Sequence, residues 1–592
     1  MKRIISKILL VLLSVFLLAS CSSTPSENDT GKKVTGTYEG IGKGRGGDIT
    51  IDLTLEDSVI KSIEVKEHNE TPGYDMALEE LPQKMIEQNT VEVDLLSGST
   101  LSSNGIIEAV KNALEKAGVK PEDLVKKESQ ETSGDKKVIE ESYDVVVIGA
   151  GGAGLTAAIT AKEAGANVLV LEKMPFVGGN TLISGAEYAA PANWIQEKEG
   201  IEDSPELMVQ DMLVAGGSEE LIRVIADNAL KEALWLQDEV DVIWEDELMF
   251  FGGHSVKRSL IPKGASGREI ITKLEAKSKE LDIPIYVNTK ATQLLQNPEG
   301  DVNGVVAEGK ENDYKFTAKT VIIASGGFGS NVEMRKKYDP TIDESILSTN
   351  STGSTGDGII MGEEIDANLV GMEHIQLYPI CDAETGQLLY MDDTRLYGFT
   401  IMVNQEGKRF VEELDTRYAI SMAIKDQTGS YTYELWDHES TEKSKILENH
   451  LPEYESLIER KLMVKADTLE EAAKFFDIDP QALQETVDQW NQYVEDGKDP
   501  DFNKRGTLTK IETAPFYLMK AVPGVHHTMG GLEINTDGQV LDTNGKVIKG
   551  LYSAGEVTGG IHGNNRLGSA ALADIIVFGR VTGKNAAEEA LK

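Results

Sequence analysis

Two cysteines in 592 residues exclude most of the chemistry that sulfur supports. With Cys21 and Cys381 alone, and no C-x-x-C-H, the chain lacks both a ligand set for an iron–sulfur cluster and a haem attachment motif. Positive charge is scarce too. The chain has 58 Lys and Arg against 99 Asp and Glu, a formal net charge of −41. That balance argues against nucleic acid and against an anionic membrane surface as partners. A membrane-spanning run is missing at the N-terminus as well: the apolar stretch Ile8–Leu18 falls short of the roughly 20 residues a spanning helix needs. Redox chemistry, if present, falls to organic cofactors, and the length calls for two to four domains.

The N-terminus reads as an export signal. Lys2, Arg3 and Lys7 precede the apolar stretch, which ends in Leu18-Ala19-Ser20-Cys21. That tetrapeptide resembles a lipobox, which implies cleavage before Cys21 and lipidation of its thiol. Residues 1–21 are then a lipoprotein signal peptide and the polar residues 22–34 a flexible tether. The expectation is an extracytoplasmic protein held at the membrane by acyl chains. A single thiol would remain, so no internal disulfide could form.

Residues 35–118 alternate strands and glycine turns, then helices, as a small α+β unit does. A helix is expected over Leu81–Asn89 and another from about Gly105 to Lys116. Between them lies Ser97-Gly98-Ser99-Thr100, a hydroxyl in a small-residue turn ahead of a helix, which suits a phosphate. This segment, with Glu70-Thr71-Pro72-Gly73, resembles the FMN-binding domain, in which a threonine is esterified to FMN phosphate. Ser99 replaces the usual Ala. The resemblance implies FMN covalently bound at Thr100, attached by a flavin transferase. Residues 119–142, rich in Lys, Glu, Ser and Gly, read as a linker.

A buried strand, Tyr143–Ile148, runs into Gly149-Ala150-Gly151-Gly152-Ala153-Gly154. A helix to about Gly165 and a second strand, Asn167–Leu171, follow, ending on Glu172 and Lys173. This is the βαβ dinucleotide fingerprint, with an acidic residue placed for a ribose hydroxyl. Further on come Gly179-Asn180-Thr181, Gly326-Gly327, Asp357-Gly358, Gly555-Glu556 and the start of a last helix at Ser569-Ala570-Ala571-Leu572. Together these pieces over residues 143–592 resemble the flavoprotein subunits of the fumarate reductase/succinate dehydrogenase family, which includes L-aspartate oxidase. The resemblance implies non-covalent FAD rather than NAD. The fold class it implies is α/β, a Rossmann-like FAD-binding domain (143–372 and 527–592) with an inserted α+β clamp domain (373–526), preceded by the small α+β FMN-binding domain.

Within that family the substrate residues follow motif by motif. Lys408-Arg409-Phe410-Val411-Glu412-Glu413-Leu414-Asp415-Thr416-Arg417 matches the segment whose Arg donates the proton, which implies that role for Arg417. His526, ahead of Thr528-Met529-Gly530-Gly531, and Arg566 are implied to clamp a carboxylate; Arg offers a rigid fork of donors for it. His526 keeps the family's spacing to Arg566 better than His527 does.

Two positions depart from the dicarboxylate pattern. Gln376-Leu377-Tyr378-Pro379 carries Tyr378 where the family has His. Where the family has Glu with an Arg three residues on, the chain reads as Asp393 followed by Arg395 and Leu396, so that the expected Arg is lost. An Asp beside a tyrosine hydroxyl repels a second carboxylate and welcomes an N–H donor. The Tyr378/Asp393 pair resembles urocanate reductases, and the resemblance implies that these two residues hold an imidazole; the alternative for Asp393 is the proton relay to Arg417. The expected activity is an extracytoplasmic ene-reductase of urocanate, of fumarate or of another acrylate-type acid, ending anaerobic respiration. Its electrons would come from a membrane or extracellular donor, quinol-linked or flavin-mediated. An oxidase of the aspartate oxidase type and a non-catalytic flavin relay are the rival expectations.

Overall fold

The structure, a computed structural model, describes residues 33–70, 75–93, 95, 96, 99–124, 126 and 136–592. The lipobox around Cys21, Ser97-Gly98, Thr71-Pro72-Gly73 and the Thr100 hydroxyl lie outside what is described. No helix among the described residues is long and apolar enough to cross a membrane.

Alternation of apolar and polar residues makes an antiparallel meander of Gly36–Gly44, Gly47–Glu56 and Val59–Glu67. Its inner face presents Ile49, Ile51, Leu53 and Leu55, all fully buried. Helices Met76–Gln88 and Thr100–Ala117 cover that face. The second helix lies directly on the first strand, where a Cβ on Gly40 would meet the Ala109 carbonyl oxygen at 2.0 Å. Both helices start about five residues before the expected position. Val119 and Leu124 join this core, and a strand begins at Lys137.

That strand, Lys137–Ile148, is central to an eight-stranded sheet. It runs parallel to Val168–Leu171 on one side and to Asn312–Ile323 on the other, and the latter is parallel to Val547–Ser553. All four strands point their carboxyl ends at the same edge. Gly149, Glu172, Ala324 and Ala554 follow directly. An open parallel sheet binds its ligand at such an edge. The helix Gly152–Glu163 packs so close behind the first strand that a Cβ on Gly154 would sit 1.9 Å from the Gly149 carbonyl oxygen. The final helix, Ala570–Ala590, crosses it.

The clamp is organised by one long strand, Phe516–Thr528, which pairs with Ile375–Cys381, Thr432–Asp437 and Met463–Ala466. Its last residues leave the clamp and reach the edge of the large sheet, carrying His526 and His527 with them. The N-terminal module docks on the clamp through Arg45, which is 4 % exposed. Its guanidinium donates to Gln387 Oε1 and to Glu453 Oε1, both at 2.6 Å. The other Glu453 oxygen accepts the Met391 N–H at 2.7 Å.

Gly40→Val is expected to disrupt only the N-terminal module. Overpacking of this kind costs about 2 kcal/mol, which lowers the melting temperature of a unit this size by roughly 10 °C. Differential scanning calorimetry checks it through a low-temperature transition that separates from an unchanged main one.

Candidate active site

The crevice at the sheet edge is built by backbone. Gly149, Gly151, Ala153, Glu172, Lys173, Gly179, Asn180, Thr181, Gly326, Asp357 and Glu556 line it. Gly154, Gly327 and Gly358 stand one layer behind. Gly327 packs against Thr528 and Glu556, and Gly358 against Ser325. Glu172 accepts the N–H groups of Ala150 (2.9 Å) and Met174 (2.8 Å), which fixes its carboxylate at the end of its strand. Lys173 Nζ donates to Thr355 Oγ1 and Asp357 Oδ2, each at 2.6 Å, closing the far wall. The helix Gly152–Glu163 has no capping side chain, and Gly152 N reaches Thr181 Oγ1 only at 3.4 Å. Its first amides are therefore open to an anion in the crevice. A diphosphate with a ribose on Glu172 fits these residues, as FAD requires.

A second cavity continues from this crevice, sharing Asn180, Thr181, Glu556 and Ile575 with it. Arg417, His526, Arg566, Tyr378 and Asp393 all line it, as do Ser569, Ala571 and Leu572 at the start of the last helix. The five substrate residues named from sequence therefore meet in one space. Arg417 opens a helix capped by Thr416, and its guanidinium lies 4.9 Å from the Tyr378 ring and 6.0 Å from that of Phe251. Neither Nη1 of Arg417 nor Nε of Arg566 has a hydrogen-bond partner, although both are buried. Burial lowers the pKa of each guanidinium, and the Arg417 charge helps push that of Arg566 down to about 9. Two such cations facing one cavity demand an anion.

His526 is fixed through Nδ1, 2.9 Å from Thr349 Oγ1, with its ring 5.2 Å from Tyr378. Burial first, then Arg417 and Arg566, hold it well below the ordinary imidazole range, so it is neutral. His527 also borders the cavity but lies toward Glu556, 3.8 Å away.

The same cavity holds a carboxyl that the sequence did not reveal, beside Asp393. Glu187 faces Asp393, Arg417 and Arg566, and its carboxyl is pushed up by burial and by Asp393. Asp393 sits 3.8 Å from His450 Nε2, and His450 stacks on Tyr390 at 5.3 Å. Glu187 has no sequence signal, since no motif surrounds it and its partners come from distant segments.

The tyrosine–aspartate pair needs correcting by one residue. The Tyr378 hydroxyl donates to Asp392 Oδ2 at 2.7 Å, not to Asp393. Asp392 also accepts both Nε and Nη2 of Arg395 at 2.6 Å. The acid with an Arg three positions on is thus Asp392–Arg395, and that Arg is present. The helical turn beginning at Tyr390 puts residues three apart on one face, which sends Asp392 inward and leaves Asp393 to the cavity. Asp393 lines the cavity together with Arg417.

At the cavity's outer rim stand Arg45, Asn69 and Glu70 of the N-terminal module. Glu70 binds Gly46 N at 2.9 Å and the Ser102 hydroxyl. Among the described residues the Thr100–Ala117 helix has no side-chain cap, and the buried Ser99 hydroxyl has no partner. A phosphate at that helix start fits these residues, and its flavin would open toward the same cavity.

Comparison with known proteins agrees with this geometry. Residues 144–572 match the FAD binding domain family and residues 44–115 the FMN-binding domain family. The chain is 43 % identical over 581 residues to a urocanate reductase of Eggerthella lenta, covering 96 % of each. It is 34 % identical to an NADH:acrylate oxidoreductase of Vibrio harveyi, over 94 % of this chain and 61 % of that one. The open conformation of a flavocytochrome c3 fumarate reductase superposes with a TM-score of 0.67 at 37 % identity, over 76 % of this chain and 79 % of that one.

Arg566→Met is expected to abolish binding of a simple carboxylate such as malonate, because the fork of donors that would hold it is removed. Isothermal titration calorimetry measures the loss, with urea titration confirming that the variant remains folded.

Proposed function

The chain belongs to the fumarate reductase/succinate dehydrogenase flavoprotein family and is an oxidoreductase acting on a carbon–carbon double bond; from that membership we propose that its substrate is urocanate, reduced to dihydrourocanate. The observation that carries the reading is the polarity of the cavity. Its walls carry two cations, Arg417 and Arg566, and two acids, Glu187 and Asp393. An acrylate carboxylate satisfies the cations, and an imidazole N–H satisfies the acids. The second carboxylate of fumarate would face Glu187 and Asp393 and be repelled.

His526 and Arg566 hold the acrylate. A carboxylate selects the tautomer in which Thr349 donates to Nδ1 and Nε2–H points into the cavity. The same donors stabilise the charge that develops on that carboxylate in the transition state. Asp393 and Glu187 take the imidazole N–H groups, while the Tyr378 hydroxyl, committed to Asp392 as donor, keeps a lone pair for the same ring. The residues of the sheet-edge crevice would hold FAD, which in its reduced form would supply the hydride for the β-carbon. Arg417 delivers the proton to the α-carbon: its N–H bond breaks as the C–H bond forms. Tyr378, Asp392 and Arg395 lie directly behind it and return the proton. Burial, which lowers the guanidinium's affinity for its proton, favours the donation.

FMN esterified to Thr100 would feed the FAD, since the cavity is bordered by both modules. A quinol-linked or flavin-mediated donor would load it outside the cytoplasm, with the chain anchored through Cys21. Cys21→Ser should then move the protein from the membrane fraction to the soluble one.

Anaerobic oxidation of reduced methyl viologen by the flavin-loaded protein decides the substrate. Turnover with urocanate and little with fumarate is expected; fumarate turnover alone overturns the reading. Asp393→Asn together with Glu187→Gln should narrow that preference by raising KM for urocanate. Arg417→Gln should lower kcat by about 10²–10⁴.

A further inference from the structure

Glu434 stands in the middle of the strand Thr432–Asp437, all six of whose residues are buried. Its cross-strand neighbours are Met402 and Met519. It is 0 % exposed, and neither carboxyl oxygen accepts a hydrogen bond from any N–H or O–H among the described residues. The one cation within 4 Å is Arg395, whose Nε lies 3.5 Å away. That same Nε, and an Nη, are already committed to Asp392 at 2.6 Å. Lys504 also faces Glu434, but its Nζ is bonded to the Thr400 carbonyl and lies 3.7 Å from Glu413. Two carboxyl groups therefore meet beside one guanidinium nitrogen, close enough to each other to share a hydrogen. Ionised together, they would leave a buried negative charge uncompensated. A carboxylate facing a carboxylate is satisfied only with a proton between them. Burial and the Asp392 charge push the Glu434 acid upward, in agreement.

Folding does not ask for this residue. An apolar side chain at such a position is as good or better for stability. We propose that Glu434 and Asp392 hold one shared proton beneath Arg395, and that this proton reloads Arg417 in each turnover, with Glu434 a positioning residue for proton delivery. The inference rests on the reading of Arg417 as the donor. Asp392 touches Tyr378, and Arg417 lies over the Tyr378 ring, so the pair sits one layer behind the donor. The proton count closes. When Arg417 has given its proton to the α-carbon, the pair's O–H bond breaks and the Arg417 N–H bond re-forms. The empty pair then takes one proton from solvent, one for each double bond reduced.

Glu434→Gln and Glu434→Leu test it by two independent measurements. A group that keeps its proton when folded and releases it when unfolded confers stability that is complete below the ordinary glutamate range and declines as pH rises. The folding constant of the parent protein should therefore fall about tenfold per pH unit relative to that of Glu434→Gln, from that range up to the acid's own folded value. A missing difference in slope means that no proton is held there and overturns the proposal. In turnover, Glu434→Leu should be at least as stable as the parent. Its kcat should nevertheless fall roughly tenfold to hundredfold, with KM for the acid little changed and a larger solvent deuterium isotope effect. Stable protein with unchanged kcat and isotope effect also overturns it. Arg417→Gln separates the two readings: if that variant turns over normally the donor assignment fails, whatever Glu434 does.

Discussion

Two buried guanidinium groups pointed at one cavity, neither in a salt bridge with a carboxylate among the described residues, set the terms for everything around them. Burial weakens the hold of each on its proton, the Arg417 charge weakens that of Arg566 further, and each keeps a buried nitrogen without a hydrogen-bond partner among the described residues. Such an arrangement survives only if the surrounding fold over-determines it. Here the sheet edge supplies one Arg from a glycine-rich turn and the clamp supplies the other from a capped helix. The aromatic faces of Tyr378 and Phe251 soften the desolvation of Arg417 without neutralising it. The charge is thereby kept for the substrate.

Around that centre the carboxylates are sorted into two sets by what they touch. Asp392 is saturated by Arg395 and Tyr378 and cannot meet a ligand. Glu187 and Asp393 are free to do so. Selectivity in a desolvated site comes as much from what it rejects as from what it binds. An anionic group beside Glu187 and Asp393 adds a further negative charge there, and an N–H donor does not.

Much of this was legible beforehand because the flavin crevice is made of contiguous motifs. Gly149–Gly154, Glu172 and Gly555-Glu556 each lie where a strand ends, and strand ends show in the hydrophobic pattern. Arg417, His526 and Arg566 were legible for the same reason. The pair at 392 and 393 was not: two adjacent aspartates are equivalent until a helical turn fixes which one faces Arg395. Glu187 and Glu434 were silent because their meaning lies wholly in tertiary contact. The helix from Thr100 was expected only from Gly105 because Ser102, Ser103, Asn104 and Gly105 are poor helix formers; burial of Ser102, Ser103 and Ile106 overrides that preference.

Glu453 gives the molecule a property that neither module has alone. One of its oxygens holds Arg45 of the FMN-binding module and the other holds the amide of Met391, next to Asp392 and Asp393. Docking of the module and ordering of the substrate-facing turn are therefore linked functions of one carboxylate. Linkage is reciprocal: whatever free energy an occupied cavity adds to the turn through Glu453, it adds equally to the grip of that carboxylate on the FMN-binding module.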